Sequence, residues 1–311
     1  MTGQPAGGDD SARAALIAGV ACYVLWGLSP LVYQPMGRLG ADSGEIMAHR
    51  AVWGVILAAG LVWLAGQSDQ VRRVLRNPRT LLWLTLSTAL IAVNWFIFVW
   101  AVNSGRTLET SLGYYLNPLF NMALGAWLFR ERISRLGGVA IALAAIGVVL
   151  QGVAIGGLPY VSLALAVSFA AYGVIRKRVQ ADAQTGLLVE CLIMAPFGLA
   201  WLIWLHHQGL GHFTDSPVAA FWLFLAGPMT VGPLVLFSWA ARRLPLSTIG
   251  FIQFLAPTIS FVIGVSQGEP FNLTRLVSFA FIWGGAAVFL AAAMHRARAA
   301  RRALKTATGP A

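Results

Sequence analysis

Ten times along the chain, about 20 consecutive positions pass with almost no charge, and that recurrence constrains the fold more than any motif does. A helix of that length rises about 30 Å, the hydrocarbon thickness of a bilayer. The runs fall at about 14–36, 44–65, 80–102, 107–129, 136–155, 158–175, 185–205, 218–240, 246–266 and 273–294. Apolar character within each is continuous, which predicts helices and argues against a porin-type barrel. The sequence reads as an all-α integral membrane protein with ten transmembrane helices.

Composition agrees. Of 311 residues 58% are hydrophobic and 11% charged, against roughly 25% charged in a soluble domain, so a water-facing surface could not be covered. The first run begins at Ala14 after Asp9, Asp10 and a single Arg13, and reads as a retained helix and not as a cleaved signal peptide. Cys22 and Cys191 both lie in apolar runs, without the spacing of a disulfide framework or a metal centre, and no cofactor is expected.

The net charge of +11 would suggest nucleic acid in a soluble protein, but the placement of the charges decides otherwise. If the runs alternate in direction, one side of the membrane collects Arg13, Arg72, Arg73, Arg76, Arg79, Arg130, Arg132, Arg135, Arg176, Lys177, Arg178, Arg242, Arg243 and the basic tail. The other side holds Arg38, Arg106 and Arg275, and Arg50 lies inside the second run. The positive-inside rule then puts both termini in the cytoplasm. Arg298, Arg301, Arg302 and Lys305 share one face if the tail is helical, which favours contact with anionic lipid headgroups and no nucleic acid.

The two halves resemble each other. Leu116, Asn117 and Pro118 of the fourth run are followed by Glu131 and Gly147, and Leu255, Ala256 and Pro257 of the ninth by Glu269 and Gly285, at intervals that agree within one residue. Tyr23, Trp26 and Gly27 of the first run answer to Phe169, Tyr172 and Gly173 of the sixth. Residues 14–155 and 158–294 are thus two units, flanked by tails at 1–13 and 295–311. Five spans is an odd number, so the second unit must run inverted. Inverted repeats recur in secondary transporters, with the substrate site near the midplane between them. No Gly-x-x-x-x-Gly-Lys-[Ser/Thr] motif is present, which disfavours ATP-driven transport by this chain alone.

The motifs carry a family resemblance over nearly the whole chain. They are Trp26-Gly27 with Pro30, Glu45 to Arg50 with Trp53, Asn94-Trp95 with Trp100 to Asn103, and Ser111 to Leu119 (SLGYYLNPL). In the second half they are Tyr172-Gly173 with Arg176-Lys177, Gln184 to Glu190, and Ser247 to Gln253 with Pro257-Thr258. With these the chain resembles the RarD proteins, in the EamA group of the drug/metabolite transporter superfamily. The resemblance implies a ten-helix permease of the bacterial inner membrane, in a family named for chloramphenicol resistance. Phe254 departs from the family, which usually has a tyrosine there.

Several residues are candidates for transport. Thr110, Tyr114, Asn117 and Asn121 share one helical face, which should turn inward from lipid, and Pro118 should bend their helix. The stripe reads either as a cavity wall or as interhelical glue. On the ninth run Gly250, Gln253, Pro257, Ser260 and Gly264 form a smaller face, where packing competes with a site at Gln253 and Pro257. The expectation is that both helices face one central cavity, its wall completed by Asn94 and Trp95 of the third run. Trp26, Trp53, Trp95 and Trp100 either line an aromatic cavity or face lipid and packing.

Glu190 is an acid within a span, a functional hypothesis by default, and a titrating carboxylate is the simplest proton carrier. Glu45 and His49, one turn apart near the outer end of the second run, are the matching coupling candidates; the competing reading is a surface position, with Arg50 snorkelling outward. Glu131 and Glu269 suit a helix start or a pinned loop better than catalysis. His206, His207, His212 and Asp215 cluster in an outer loop but lack any established zinc spacing, so no metal is expected.

The leading function is secondary active export of small organic molecules, driven by protons or exchange, by a monomer or homodimer. The alternatives are an integral-membrane enzyme, disfavoured by the absence of Gly-x-Ser-x-Gly and His-Glu-x-x-His motifs, and a passive channel or lipid scramblase.

Overall fold

The computed structural model describes residues 7–129, 134–176, 179–244 and 246–307, and every regular element among them is an α-helix. In chain order these are α1 (Gly7–Arg38), α2 (Ser43–Leu64), α3 (Ser68–Arg76), α4 (Pro78–Asn103), α5 (Thr107–Phe129), α6 (Arg135–Ile155), α7 (Tyr160–Arg176), α8 (Ala183–Gln208), α9 (Pro217–Leu225), α10 (Pro228–Ala241), α11 (Leu246–Ile252), α12 (Leu255–Ser266) and α13 (Leu273–Ala307).

The boundaries follow from local chemistry. Asp42, Asn77, Ser134 and Ser216 accept backbone N–H bonds at the starts of α2, α4, α6 and α9, and Pro78 and Pro217 sit where a helix needs no N–H. Gly156 and Gly209 end α6 and α8 in the left-handed conformation that only glycine adopts without strain.

Eight membrane-crossing candidates are found among the described residues: α1, α2, α4, α6, α8, α9 with α10, α11 with α12, and α13. α7 is apolar but shorter, and α5 coincides with the fourth apolar run. The chain is a multi-pass membrane protein. α3 is an element that the apolar pattern does not announce, a short amphipathic helix carrying Arg72, Arg73 and Arg76.

Two expected spans are interrupted. The eighth run breaks at Ala226–Gly227, just before Pro228, and the ninth at Gln253–Phe254. Pro257 favours the second break, because its ring opposes the carbonyl of Gln253 four residues back and it has no N–H to offer it. Pro118 stands inside α5 without such a break.

Glycines set the closest helix contacts, as small residues do when helices pack in lipid. A Cβ at Gly147 of α6 would lie 2.9 Å from the Ser278 carbonyl oxygen of α13, and one at Gly285 of α13 would lie 2.8 Å from the Ala140 carbonyl oxygen of α6. Ser278 Oγ donates to the Gly147 carbonyl across this contact at 2.7 Å. α2 and α8 meet in the same manner: a Cβ at Gly54 would lie 3.1 Å from Cys191 Sγ, and one at Gly198 would lie 3.2 Å from Ala48 Cα. In both pairs a later residue on one helix meets an earlier one on the other, so the partners are antiparallel. α7 packs on α4 and α5, while α1 packs on α10 and α12, and α5 meets α12.

Candidate functional site

Between α1, α2, α4, α8 and the segment after α12 lies an open cavity of about 850 Å³, at the end of the bundle that the charge pattern assigns to the outside. Gln34 and Gly37 of α1, Gly44 of α2, Trp100 and Asn103 of α4, Trp201 of α8 and Gln267 beyond α12 line it. Gln34 and Gln267 exchange amide hydrogen bonds of 2.8 and 2.7 Å, which ties α1 to the end of α12. Glu269, also in the wall, accepts from the backbone N–H groups of Thr107 and Leu108 at 2.5 and 2.8 Å. It pins the start of α5, and not of the helix that follows it in the chain. Glu131 lies outside the described residues.

A second cavity of about 250 Å³ lies between α2 and α8, with Glu45, His49, Trp53, His206 and Phe213 in its lining. Glu45 is buried, accepts from the His212 backbone N–H at 2.7 Å and meets His212 Nδ1 at 2.8 Å, so it holds the 209–216 loop onto α2. His49 is buried too, with its Nδ1 accepting from Trp53 Nε1 at 3.2 Å and its ring stacked on Phe213 at 4.8 Å. The His206, His207, His212 and Asp215 group does not converge on a metal-sized point among the described residues.

Beneath the larger cavity a polar layer crosses the bundle. Asn94 of α4 donates from Nδ2 to the Leu165 carbonyl and to Ser168 Oγ, both at 2.9 Å and both on α7, and accepts from the Tyr114 hydroxyl of α5 at 3.3 Å. Tyr114 rests against Phe98 and Phe169. Asn117, one turn on, is buried with Oδ1 lacking a hydrogen-bond partner. Trp95 lies under the guanidinium of Arg50, 3.7 Å from the ring centroid to Cζ, and Tyr33 flanks the same cation at 5.7 Å. Arg50 therefore does not snorkel: it is 6% exposed, because α2 turns it toward α1 and α4 and away from lipid.

The second-half candidates sit apart from this layer. Gln253 is half-buried, and its Nε2 donates to the Gly250 carbonyl of its own segment at 3.1 Å. Pro257 and Pro118 are both buried, and the Pro257 carbonyl accepts from Ser111 Oγ of α5 at 2.7 Å. Phe254 stacks on Tyr115 of α5 at 6.0 Å. The structure thus brings Asn94, Trp95, Tyr114 and Asn117 into one region and Gln253 and Pro257 into another, joined through the α5–α12 contact. Asn121 belongs to α5, but its side chain lies outside the described part. Of the described residues expected at the central cavity, Asn94, Trp95, Tyr114, Asn117, Pro118, Gln253 and Pro257 line neither cavity, whereas Trp100 lines the larger one and Trp53, Glu45 and His49 the smaller.

Glu190 lies near the other end of the bundle, seven residues into α8. Ser87 Oγ of α4 donates to its Oε1 at 2.8 Å and the Tyr172 hydroxyl of α7 to its Oε2 at 3.3 Å, while Arg176 Nε approaches Oε1 to 3.8 Å. Two neighbouring helices, α4 and α7, converge on this acid of α8. Arg176 reaches it by lying against Gly186, where any side chain would collide with the guanidinium.

Sequence reasoning missed two features. The Gln34–Gln267 tie joins residues 233 apart, which no local pattern encodes. Arg50 was legible as a cation inside an apolar run, but its aromatic surroundings come from two other helices, α1 and α4.

The EamA-like transporter family model matches this sequence twice, at residues 13–152 and 157–291. An uncharacterized transporter of Vibrio cholerae is 40% identical over 303 residues, which cover 94% of this chain and 97% of that protein. Protein RarD of Escherichia coli K12 is 36% identical, with 92% and 97% covered, and a chloramphenicol-sensitive protein RarD of Pseudomonas aeruginosa is 32% identical, with 78% and 82% covered. One solved crystal structure superposes with a TM-score of 0.60 at 21% identity, over 91% of this chain and 98% of that one, a likeness of fold alone.

Proposed function

The chain belongs to the EamA-like transporter family, and we propose from that premise that it is a secondary active transporter of small organic molecules. Ten spans form two inverted repeats, at 14–155 and 158–294, with both termini in the cytoplasm of a bacterium and the protein in its inner membrane. The observation that carries this reading is the reciprocal antiparallel packing of α2 on α8 and of α6 on α13. In each pair the two helices occupy corresponding places in the two halves, and each offers its glycine to the other. Such pairing is what a two-fold axis perpendicular to the helices, and so in the membrane plane, would produce. The two family matches fall on the same halves, and the basic loops support the orientation.

Two repeats that share such an axis can open alternately to either side by rocking around a fixed site. The cavity at the outer end supports an outward-open arrangement, with the Asn94–Tyr114 layer deeper in the bundle. Asn94, Trp95, Tyr114, Asn117 and Asn121, with Gln253 and the two prolines, form the substrate path. Glu190 carries the coupling proton, released and regained within its cage of Ser87, Tyr172 and Arg176, and Glu45 and His49 serve the outer side. The Pseudomonas relative is named for chloramphenicol, and drugs or metabolites of that size suit a cavity of about 850 Å³.

Counterflow tests the reading. Proteoliposomes preloaded with unlabelled chloramphenicol or small aromatic metabolites should accumulate the labelled compound transiently above equilibrium. Simple equilibration without overshoot would point instead to a channel, and chemical conversion of the label to an enzyme.

A further inference from the structure

Arg50 has no anion. Among the described residues it makes no hydrogen bond or ion pair, its Nε is buried without a partner, and it is 6% exposed. Each buried carboxylate among the described residues is answered: Glu45 by His212, Glu109 by Arg106, Glu190 by Ser87, Tyr172 and Arg176. An uncompensated guanidinium inside a membrane protein is costly, and it cannot escape the cost by losing its proton. The faces of Trp95 and Tyr33 offset part of it. A cation stacked on a ring still keeps its N–H donors in the guanidinium plane, directed away from the ring and free to bond an anion.

Its position suits a ligand. Arg50 lies seven residues into α2, about 10 Å below the helix start, where Gly44 lines the outer cavity. On the neighbouring helices Tyr33 lies one turn beneath the lining residue Gly37, and Trp95 two turns beneath the lining residue Val102. All three helices thus put the cation on the way from the cavity toward the middle of the bundle.

We infer that the transported molecule carries a negative charge next to a planar apolar group, and that Arg50 receives that charge while Trp95 and Tyr33 flank the apolar part. This rests on the transporter reading, since a binding residue beneath the cavity matters for transport only if the cavity is a passage. A carboxylate fits best, because two oxygens match the guanidinium fork.

Three probes with one ring and different charges test the proposal: benzoate, benzamide and benzylammonium. Each is titrated into the purified full-length protein, with tryptophan fluorescence and thermal unfolding as readouts. Benzoate should bind, benzamide about tenfold more weakly or worse, and benzylammonium should not compete. Arg50→Gln should weaken benzoate about tenfold or more and leave benzamide unchanged, and Arg50→Lys, which keeps the charge without the fork, should fall between. Equal responses to benzoate and benzamide in the unaltered protein, including no response to either, would overturn the inference even if Arg50→Gln fails to fold. So would full benzoate binding by Arg50→Gln. Benzoate binding without benzoate counterflow would refute the transporter reading and leave the anion site standing; counterflow of a neutral solute without anion selectivity would do the opposite.

Discussion

Adding one methyl group at Gly147 or at Gly285 should damage the protein equally, although the two residues are far apart in sequence. A Cβ at Gly147 falls 2.9 Å from the Ser278 carbonyl oxygen and one at Gly285 falls 2.8 Å from the Ala140 carbonyl oxygen, where ordinary contact begins at 3.4 Å. Each alanine is therefore about half an ångström short of room against rigid backbone, and α6 and α13 must separate to admit it. Overpacking of this kind costs about 1–3 kcal/mol. Alanine also favours a helix over glycine by about 1 kcal/mol, so a control is needed that takes the gain without the clash. Gly138 supplies it, being on α6 with nothing within 4 Å of its Cβ position. Unfolding in SDS titrations followed by circular dichroism should put Gly147→Ala and Gly285→Ala about 1–3 kcal/mol below Gly138→Ala. If one is tolerated like the control while the other unfolds, the reciprocity of the α6–α13 contact is wrong, and the two-fold argument loses one of its two supports.

Glu190→Gln keeps the hydrogen-bonding shape inside the Ser87 and Tyr172 cage but removes the exchangeable charge, so solute uptake driven by a pH gradient should be lost while counterflow persists; unchanged gradient-driven uptake would remove Glu190 from coupling. Cysteines introduced at Ser68 and at His207 should label from opposite faces of the membrane, and labelling from the same face would break the topology. Alanine at Tyr114, Asn117 or Gln253 should weaken substrate binding by more than it lowers the unfolding midpoint, and the reverse order in both measurements would assign these side chains to packing.

The elements were legible wherever one physical cause sets them. Length and apolarity announce the membrane helices, and the caps at Asp42, Asn77, Ser134 and Ser216 show where four helices begin. The breaks were less legible. Proline at 118 and at 257 carries the same local penalty, yet α5 runs through it and the ninth run divides, because neighbouring helices and not the residue alone decide whether a freed carbonyl is accommodated. The polar stripe on α5 was readable as a face, but its use was not: Thr110 bonds back to the Thr107 carbonyl, Tyr114 crosses to Asn94, and the Asn117 oxygen is left unpartnered. Arg50 marks the limit most clearly. A cation near a helix end in an apolar run suggests snorkelling, and only the approach of Tyr33 and Trp95 from other helices turns it inward.

Alternating access is most directly tested by spin-label distances at both ends of the bundle in one membrane preparation. Cys22 and Cys191 are buried and leave the labelling chemistry to introduced cysteines, so exposed Ser104 with Gln208 can report the outer end and exposed Ser68 with Arg243 the inner end. Electron–electron resonance on each pair should give two distance populations, and a change of pH or added solute that shortens the outer distance should lengthen the inner one. A single, condition-independent distance at both ends, or both ends opening together, would contradict a rocking transporter and favour a fixed pore.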